Sequence, residues 1–434
     1  MEARADRLEI RFNDFKAALS EPEARAEASR CINCYDAPCV TACPTGIDIP
    51  KFIRRIGAGH DKGAAKTILD SNVFGLSCAQ SCPVEVLCEG ACVYHELDGK
   101  PISIGKLQRY AVEYAYDKEV QFYSAGKQSG KKVVLIGAGP ASLACAHELR
   151  KLGHETVVLE KTGLPGGLNT SGIAPYKMKA NVSLREIEYI TSLGVKIEYG
   201  KELCTTSDFK KLLIEYDAIF LGMGLGPDSV FQAPGADQPC IRGAVEFISL
   251  IKTKSESEMS WLADVKTALV VGGGNTALDS CRELKGLGVS RVVMSYRRGE
   301  ADMSGYAHEL KAARQEGVEF WPFTLPVSFN ANGKNASGRV MVTIQKTGSN
   351  KELLELPVDL VLVAIGQNKL EALLTGIEGL TFKKGRLKTC ENGSTGNSKI
   401  FAGGDLTNGG KEVVNAVAEG KRAALAIHKR LANG

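Results

Sequence analysis

The sequence predicts an α/β protein: an all-helical N-terminal domain, then two folds of alternating strand and helix, the second inserted in the first. Three observations predict it. Eight of the thirteen cysteines fall within the first 92 residues, among helical stretches with no run of alternating strands. Beyond a small polar segment, Ser124–Gly130, the pattern changes to strand, glycine turn, apolar helix and strand, and that unit recurs later in the chain. A third glycine cluster, Gly403-Gly404-Asp405, follows a late strand and precedes a long helix.

The helical domain is expected over residues 1–127, with helices at Ile49–Ile56, Lys62–Leu69 and Ile104–Tyr116. Its cysteines form two runs. The first, Cys31, Cys34, Cys39 and Cys43, reads C-x2-C-x4-C-x3-C and ends in Cys43-Pro44, close to the bacterial ferredoxin pattern whose fourth cysteine ligates the other of two clusters. The second run, Cys78, Cys82, Cys88 and Cys92, supplies the remaining thiolates. Two iron–sulfur clusters are therefore expected. Zinc would favour a pair of C-x2-C knuckles, and only Cys31 and Cys34 have that spacing. Structural disulfides need an oxidising compartment, and the N-terminal run Met1–Asp6 has no apolar leader to send the chain there. Cys145, Cys204, Cys240, Cys281 and Cys390 are scattered singly and read as small packing residues.

The first nucleotide fold begins with the strand Lys132–Ile136, the turn Gly137-Ala138-Gly139-Pro140-Ala141-Ser142, the helix Ser142–Leu152 and the strand Thr156–Leu159. Glycines let such a turn close tightly and approach a pyrophosphate at the positive end of the following helix. Glu160 falls 23 residues after Gly137, where a carboxylate accepts from a ribose hydroxyl. A dinucleotide site of Rossmann type is expected there.

The second fold repeats the order with the strand Ala268–Val271, the turn Gly272-Gly273-Gly274-Asn275, the helix Thr276–Leu287 and the strand Arg291–Tyr296. That strand ends in Arg297-Arg298 instead of an acid, which suits the 2′-phosphate of NADPH better than NADH. The plain alternative is a solvated surface pair. Two such folds with Gly404-Asp405 after the strand Ile400–Ala402 suggest a flavoprotein reductase, the chain returning to complete an FAD site with Asp405. Gly166-Gly167-Leu168 would pass close to the flavin. Asp405 as a simple turn cap, and Gly166-Gly167 as a plain turn, are the bland readings. The division expected is 128–230 with 366–434 for FAD, and 231–365 for NAD(P)H.

A net charge of +4 on 434 residues gives no support for nucleic-acid binding. No apolar run approaches the ~18 residues of a membrane span, so a cytoplasmic protein without a membrane partner is expected.

The motifs Glu27-Ala28-Ser29-Arg30-Cys31, Asp36-Ala37-Pro38-Cys39, Ala42-Cys43-Pro44, Lys51-Phe52-Ile53-Arg54 and Ile104-Gly105-Lys106-Leu107-Gln108-Arg109 carry a resemblance over nearly the whole chain. It resembles the NAD(P)H-oxidising subunit of bacterial dihydropyrimidine dehydrogenase and the N-terminal half of the single-chain animal enzyme. The small subunit of glutamate synthase is similar too and shares a Tyr-Arg-Arg like Tyr296–Arg298, but tends to carry Glu where this chain has Gln108. The resemblance implies crossed ligation: one [4Fe-4S] cluster on Cys31, Cys34, Cys39 and Cys92, the other on Cys43, Cys82, Cys88 and the Gln108 side-chain oxygen, with Cys78 a spectator. Plain counting would instead give Cys78 to the second cluster. A neutral amide in place of a thiolate would make that cluster less negative and easier to reduce.

The resemblance also implies cofactor contacts at Gly137–Ala141, Glu160, Gly167, Leu168, Lys177, Leu203, Gly273–Thr276, Arg297, Arg298, Ala364, Gly366, Gly404, Asp405 and Val413. Lys177 stands where the family often has arginine, and relatives that use NADH lack the basic pair at 297 and 298. With the chain stopping at Gly434 and no barrel domain seen, the resemblance implies a partner subunit carrying FMN and iron–sulfur clusters. Electrons would pass from NAD(P)H through FAD, between the two nucleotide folds, and two clusters to that partner, which reduces uracil or thymine. The alternatives are a glutamate synthase small subunit and, from another class, a redox-sensing iron–sulfur flavoprotein without turnover. No acid–base catalyst is expected, since the chemistry belongs to the cofactors.

Overall fold

The computed structural model describes residues 6–330, 339–347 and 351–432, so most of the N-terminal run read for a leader, Met1–Ala5, lies outside the described residues. In chain order the helical region holds α1 (Glu21–Ser29), α2 (Pro38–Thr41), α3 (Ile49–Gly57), α4 (Asp61–Ser71), α5 (Gly75–Ser81) and α6 (Ile104–Asp117). The first nucleotide fold follows with β1 (Lys132–Ile136), α7 (Pro140–Lys151), β2 (Glu155–Glu160), α8 (Leu168–Ser171), α9 (Ala180–Thr191), β3 (Lys196–Tyr199), α10 (Thr206–Glu215) and β4 (Ala218–Leu221). The second comprises β5 (Ile241–Gly243), α11 (Ala244–Thr253), β6 (Thr267–Val271), α12 (Asn275–Gly286), β7 (Arg291–Tyr296), α13 (Ala307–Gln315), β8 (Val318–Pro322), β9 (Thr324–Asn330), β10 (Val340–Lys346), β11 (Leu353–Val358) and β12 (Leu360–Val363). The chain then returns through α14 (Glu371–Leu374), the hairpin of β13 (Phe382–Lys383) and β14 (Arg386–Leu387), β15 (Ile400–Ala402), α15 (Asp405–Asn408) and α16 (Val413–Ala432).

The first sheet has the order β15-β4-β1-β2-β3 and is parallel throughout. Its last strand to be made, β15, pairs with β4 across the whole second fold, which is the insertion expected from the sequence. The second sheet, β5-β12-β6-β7-β8, is likewise parallel, and β9 to β11 form a separate antiparallel sheet. Parallel sheets are covered on both faces, and the strands read accordingly: β4, β6 and β12 are buried at every position.

Two compact units result. One comprises Phe15–Thr170, Ala180–Leu225 and residues from Lys369 onward, and the other Ser171–Lys179, Gly226–Asn368 and the described residues up to Asp14. Within the first, the helical region and the first nucleotide fold share a core: Phe74, Cys78, Cys82 and Val84 pack in one cluster with Val133, Leu135, Leu143 and Val417. The cause is visible at α5. Glu186 on α9 accepts hydrogen bonds from Leu76 N at 2.7 Å and Ser77 N at 3.1 Å, and from the Ser77 hydroxyl, so a fold helix caps a cysteine-bearing helix. Within the second unit, Leu8, Phe12, Ala174 and Tyr176 join the core of the second fold beside Phe247 and Leu278.

The polar segment 124–130 is pinned along its length. Gly126 N donates to Arg150 O and Ser129 N to Gly153 O, at 2.9 and 3.0 Å, and the Ser129 hydroxyl meets His154 Nδ1 at 2.8 Å. Small residues are required there by close backbone approach: a Cβ on Gly126 would lie 2.3 Å from Lys151 O.

Candidate cofactor and electron-transfer site

The eight N-terminal cysteines separate into two groups that cross the two runs. Cys39 is pushed up to about 11 by burial and by the neighbouring Cys31, Cys92 and Cys34 sulfurs. Cys31 is raised by burial, with Cys34 and Cys92 adding to it. Cys92 from the second run therefore stands with Cys31, Cys34 and Cys39 from the first. In the other group, Cys82 is raised first by its hydrogen bond with Cys78, then by burial, with Cys43 among the lesser causes. Cys88 is raised by burial first, with Cys82 and Cys43 contributing. Cys43, Cys78, Cys82, Cys88 and Gln108 line one small cavity with Ile47, Ile49 and Leu87.

The donor sets fit iron–sulfur clusters. The second group lies in largely apolar surroundings, where protonated sulfurs are costly to ionise until iron replaces the proton, while the thiols of the first are half-buried beside a polar hollow. Among the described residues no three Cys, His, Asp or Glu side chains converge on one metal ion. A four-iron cluster does not ask for that, since each thiolate binds its own iron. Gln108, buried on α6, donates from Nε2 to Gly75 O at 2.6 Å, which leaves Oε1 as the ligand-type atom of its amide. Five donor side chains thus line one cavity, one more than a four-iron cluster would take, with Cys78 and Gln108 the two alternatives for the fourth place.

The first glycine turn is built for close approach. Gly137 has φ +84°, and a Cβ there would lie 2.9 Å from Gly222 O. Gly139 precedes α7, whose first residue is Pro140, a position where the missing N–H costs nothing. Glu160 is buried and already engaged: its Oε2 accepts from Ala138 N at 2.8 Å, and its Oε1 from Thr162 N and Oγ1 at 2.8 and 2.9 Å. The carboxylate thus shapes the turn itself, with lone-pair capacity left for the ribose hydroxyl expected from the sequence. Gly166 N donates to Ala138 O at 2.7 Å, and a Cβ on Gly167 would sit 3.3 Å from Gly139 Cα, so the Gly166–Leu168 turn lies against the first. Gly404, at φ +73°, completes the cradle, its Cβ position 3.1 Å from Ala141 Cβ. Asp405 Oδ1 accepts from Lys411 N at 3.3 Å, and burial raises its carboxyl above the ordinary range. Leu203 is partly buried in the core that includes Ile136 and Leu159. Val413 opens α16 and packs, partly buried, on the core shared by α5 and α7. This backbone-lined cradle at a helix start fits the pyrophosphate of a dinucleotide.

The second turn is equally tight. A Cβ on Gly272 would lie 2.4 Å from Ala364 O, and one on Gly273 2.4 Å from the Tyr296 ring. Gly274 precedes α12, and Asn275 Oδ1 accepts from Tyr306 N at 3.0 Å, with Thr276 next on the helix. Gly366, at φ +110°, belongs to this unit, its carbonyl accepting from Ser229 N at 2.9 Å. Arg297 and Arg298 are both exposed, and the Arg298 guanidinium lies 5.5 Å from the Tyr296 ring centre. Lys177 is also in this unit. Its ammonium is held by Asp279 at 2.7 Å and Glu309 at 2.8 Å, and these carboxylates, acting against burial, raise it above the ordinary lysine range.

Residues 131–420 match the family model described as pyridine nucleotide-disulphide oxidoreductase, and residues 8–120 the model described as dihydropyrimidine dehydrogenase domain II, 4Fe-4S cluster. The chain belongs to the pyridine nucleotide-disulphide oxidoreductase family. Within it, this member carries the N-terminal 4Fe-4S domain and is an NAD(P)H-dependent flavin and iron–sulfur oxidoreductase. It is 34% identical over 420 residues to the NAD-dependent dihydropyrimidine dehydrogenase subunit PreT of Escherichia coli K12, covering 97% of both chains. It is 33% identical over 442 residues to the glutamate synthase [NADPH] small chain of the same strain, covering 96% of this chain and 93% of that one. Thioredoxin reductase of Lactococcus lactis shares the fold at a TM-score of 0.55 and 20% identity, over 70% of this chain and 100% of that one. No helix among the described residues is long and apolar enough to cross a membrane.

Sequence reasoning missed several residues that build the site. Glu419 accepts from Gly404 N at 2.6 Å and from Asn408 Nδ2 at 3.1 Å, fixing the return loop. Gly420 brings α16 onto α7, where a Cβ would lie 2.1 Å from Ala141 O, and a lone glycine inside a long helix was the available signal. Asn169 and Glu186 carry no local signal at all. Asn169 Nδ2 donates to the Ser77 hydroxyl at 2.9 Å, joining α8 to α5.

Proposed function

We propose that the chain takes electrons from NAD(P)H and passes them through FAD and two [4Fe-4S] clusters to a partner subunit that carries FMN and its own clusters and reduces uracil or thymine. The observation that carries this reading is the crossed grouping of the cysteines: Cys92 stands with Cys31, Cys34 and Cys39, and Cys43 with Cys82 and Cys88. Such an exchange is the pattern of the two-cluster ferredoxin run, and Cys82, which directly follows α5, lies in a core shared with the FAD-type fold. When bound, FAD accepts a hydride and the clusters accept electrons one at a time.

The chain's own residues position these groups. In this reading Gly137–Ala141, Gly167, Leu168 and Gly404 cradle the flavin nucleotide, with Glu160 holding the turn and facing a ribose hydroxyl. Cys31, Cys34, Cys39 and Cys92 hold one cluster, and Cys43, Cys82, Cys88 and Gln108 the other. Gly273–Thr276 receive the pyrophosphate of NADPH, and Arg297 and Arg298 its 2′-phosphate. Lys177 acts through Asp279 and Glu309, anchoring the segment 171–179 on the second fold. The hollow lined by Cys34, Tyr35, Asp36 and Lys51, with Tyr35 fully exposed, brings the first group to the surface, as donation to another protein needs. The relatives' names, a dehydrogenase subunit and a small chain, support a partner.

The second reading, a glutamate synthase small subunit, is favoured by the 33% identity over 96% of the chain. One experiment separates them. The chain co-produced with an FMN-barrel partner should oxidise NAD(P)H in the presence of uracil or thymine and not of 2-oxoglutarate with glutamine. Turnover with the latter pair, supported by a glutamine amidotransferase partner, would overturn the proposal.

A further inference from the structure

Phe323 stands between β8 and β9, the single residue by which the chain leaves the parallel sheet for the antiparallel one. Its φ is +54°, the left-handed region, which a bulky side chain adopts rarely and where glycine or asparagine is the default. A turn alone would not retain phenylalanine there. Nor does the core explain it, for the residue is 52% exposed. Such an outlier calls for a role outside the fold.

Its surroundings suggest the role. Phe323 N donates to Arg298 O at 3.2 Å, Phe323 O accepts from Thr347 N at 2.8 Å, and the Thr347 hydroxyl donates to Arg297 O at 2.8 Å. The Phe323 backbone is thereby tied to the backbone of the basic pair, with its ring half exposed. The ring lies over Gly299, where a Cβ would come 2.9 Å from Phe323 Cζ. A half-exposed aromatic next to two arginines at the end of β7 presents a flat apolar face beside positive charge.

We infer that Phe323 is the stacking platform for the adenine ring of the pyridine nucleotide. The inference rests on the reading that the second fold receives NAD(P)H with Arg297 and Arg298 at the 2′-phosphate. Stacking has a signature that phosphate contacts lack: adenine is common to NADPH and NADH, so losing the ring weakens both alike.

The test is calorimetric binding of NADP+, NAD+ and adenosine 2′,5′-bisphosphate to the flavin- and cluster-loaded chain, with Phe323→Gly and Phe323→Trp as variants. Glycine adopts the left-handed conformation freely, so Phe323→Gly should unfold at the wild-type temperature or above it. It should bind all three ligands roughly tenfold more weakly, the usual scale for loss of one base–aromatic stack, while Phe323→Trp keeps wild-type affinity. Arg297→Ala, by contrast, should weaken only the 2′-phosphorylated ligands. Unchanged affinity in Phe323→Gly, with the wild type binding normally, would overturn the platform and leave the nucleotide site standing. A wild-type protein that bound none of the three would overturn both.

Discussion

Removal of the Arg297 and Arg298 guanidinium groups tests which nucleotide the second fold takes. Both side chains are exposed, and no ion pair to Arg297 is found among the described residues, whereas nearby Arg291 and Arg314 are committed to Glu319 and Glu300 at 2.8 and 2.6 Å. Loss of Arg297 therefore costs the fold almost nothing. Loss of Arg298 also removes its cation–π contact with Tyr296, worth about 0.5–1 kcal/mol at an exposed position. Each charge-assisted hydrogen bond to a phosphate is worth roughly 1.5–3 kcal/mol, and 1.4 kcal/mol is tenfold. Each single variant to alanine should thus raise KM for NADPH by roughly tenfold to a hundredfold, with the double variant at or above the larger figure. KM for NADH should move less than about twofold, because no 2′-phosphate is present. The assay is flavin-dependent dye reduction with each nucleotide, and thermal unfolding serves as the fold control. Equal wild-type kinetics with the two nucleotides, or equal losses for both in Arg297→Ala, would refute the reasoning.

Two further predictions concern buried groups. Gln108→Ala should lose about half of the roughly eight iron atoms that two four-iron clusters bring, while Cys78→Ala keeps all of them; iron content and cluster absorbance decide, and the opposite pattern would give the fourth ligand place to Cys78. Glu283 is wholly buried on α12, neither oxygen has a hydrogen-bond partner among the described residues, and burial raises its carboxyl well above the usual range. A carboxyl whose folded pKa is raised favours the fold below the unfolded value of 4.5 and costs stability as pH rises above it. Glu283→Met should therefore stabilise the chain by about 1–3 kcal/mol at pH 8 and by less at pH 5, read as a melting midpoint higher by a few degrees; a variant less stable than wild type at pH 8 would contradict this.

What the sequence disclosed, and what it withheld, follows from the range of the interactions involved. β1, β7 and β15 were legible residue for residue, because short apolar runs bounded by turns report parallel strands directly. The helix starts at Ile49, Ile104 and Val413 were legible to the residue, but others came late. The sequence reading began the first fold's helix at Ser142, but Pro140 and Ala141 are already helical, since proline serves at the first position. Two other strands, β2 and β6, were read short at their ends, as at Glu155, Glu160 and Thr267, which pairing with neighbours extends. The glycine turns at 137 and 272 were visible as motifs, yet the carboxylate that shapes the first, Glu160, was read only as a ribose acceptor. The crossed cysteine grouping came from resemblance rather than spacing, which indicated only that Cys43 reaches away from its neighbours. Glu186 lies 110 residues from the helix it caps, and no local pattern encodes a bond of that separation. The packing of 171–179 with the second fold is hidden for the same reason: Lys177 meets Asp279 and Glu309 only after folding.

The central claim, that electrons leave the flavin by way of the clusters, is tested most directly by Cys88→Ala in the chain paired with its partner. The account predicts that NAD(P)H still bleaches the flavin band while pyrimidine reduction stops. Full pyrimidine turnover in that variant would contradict it.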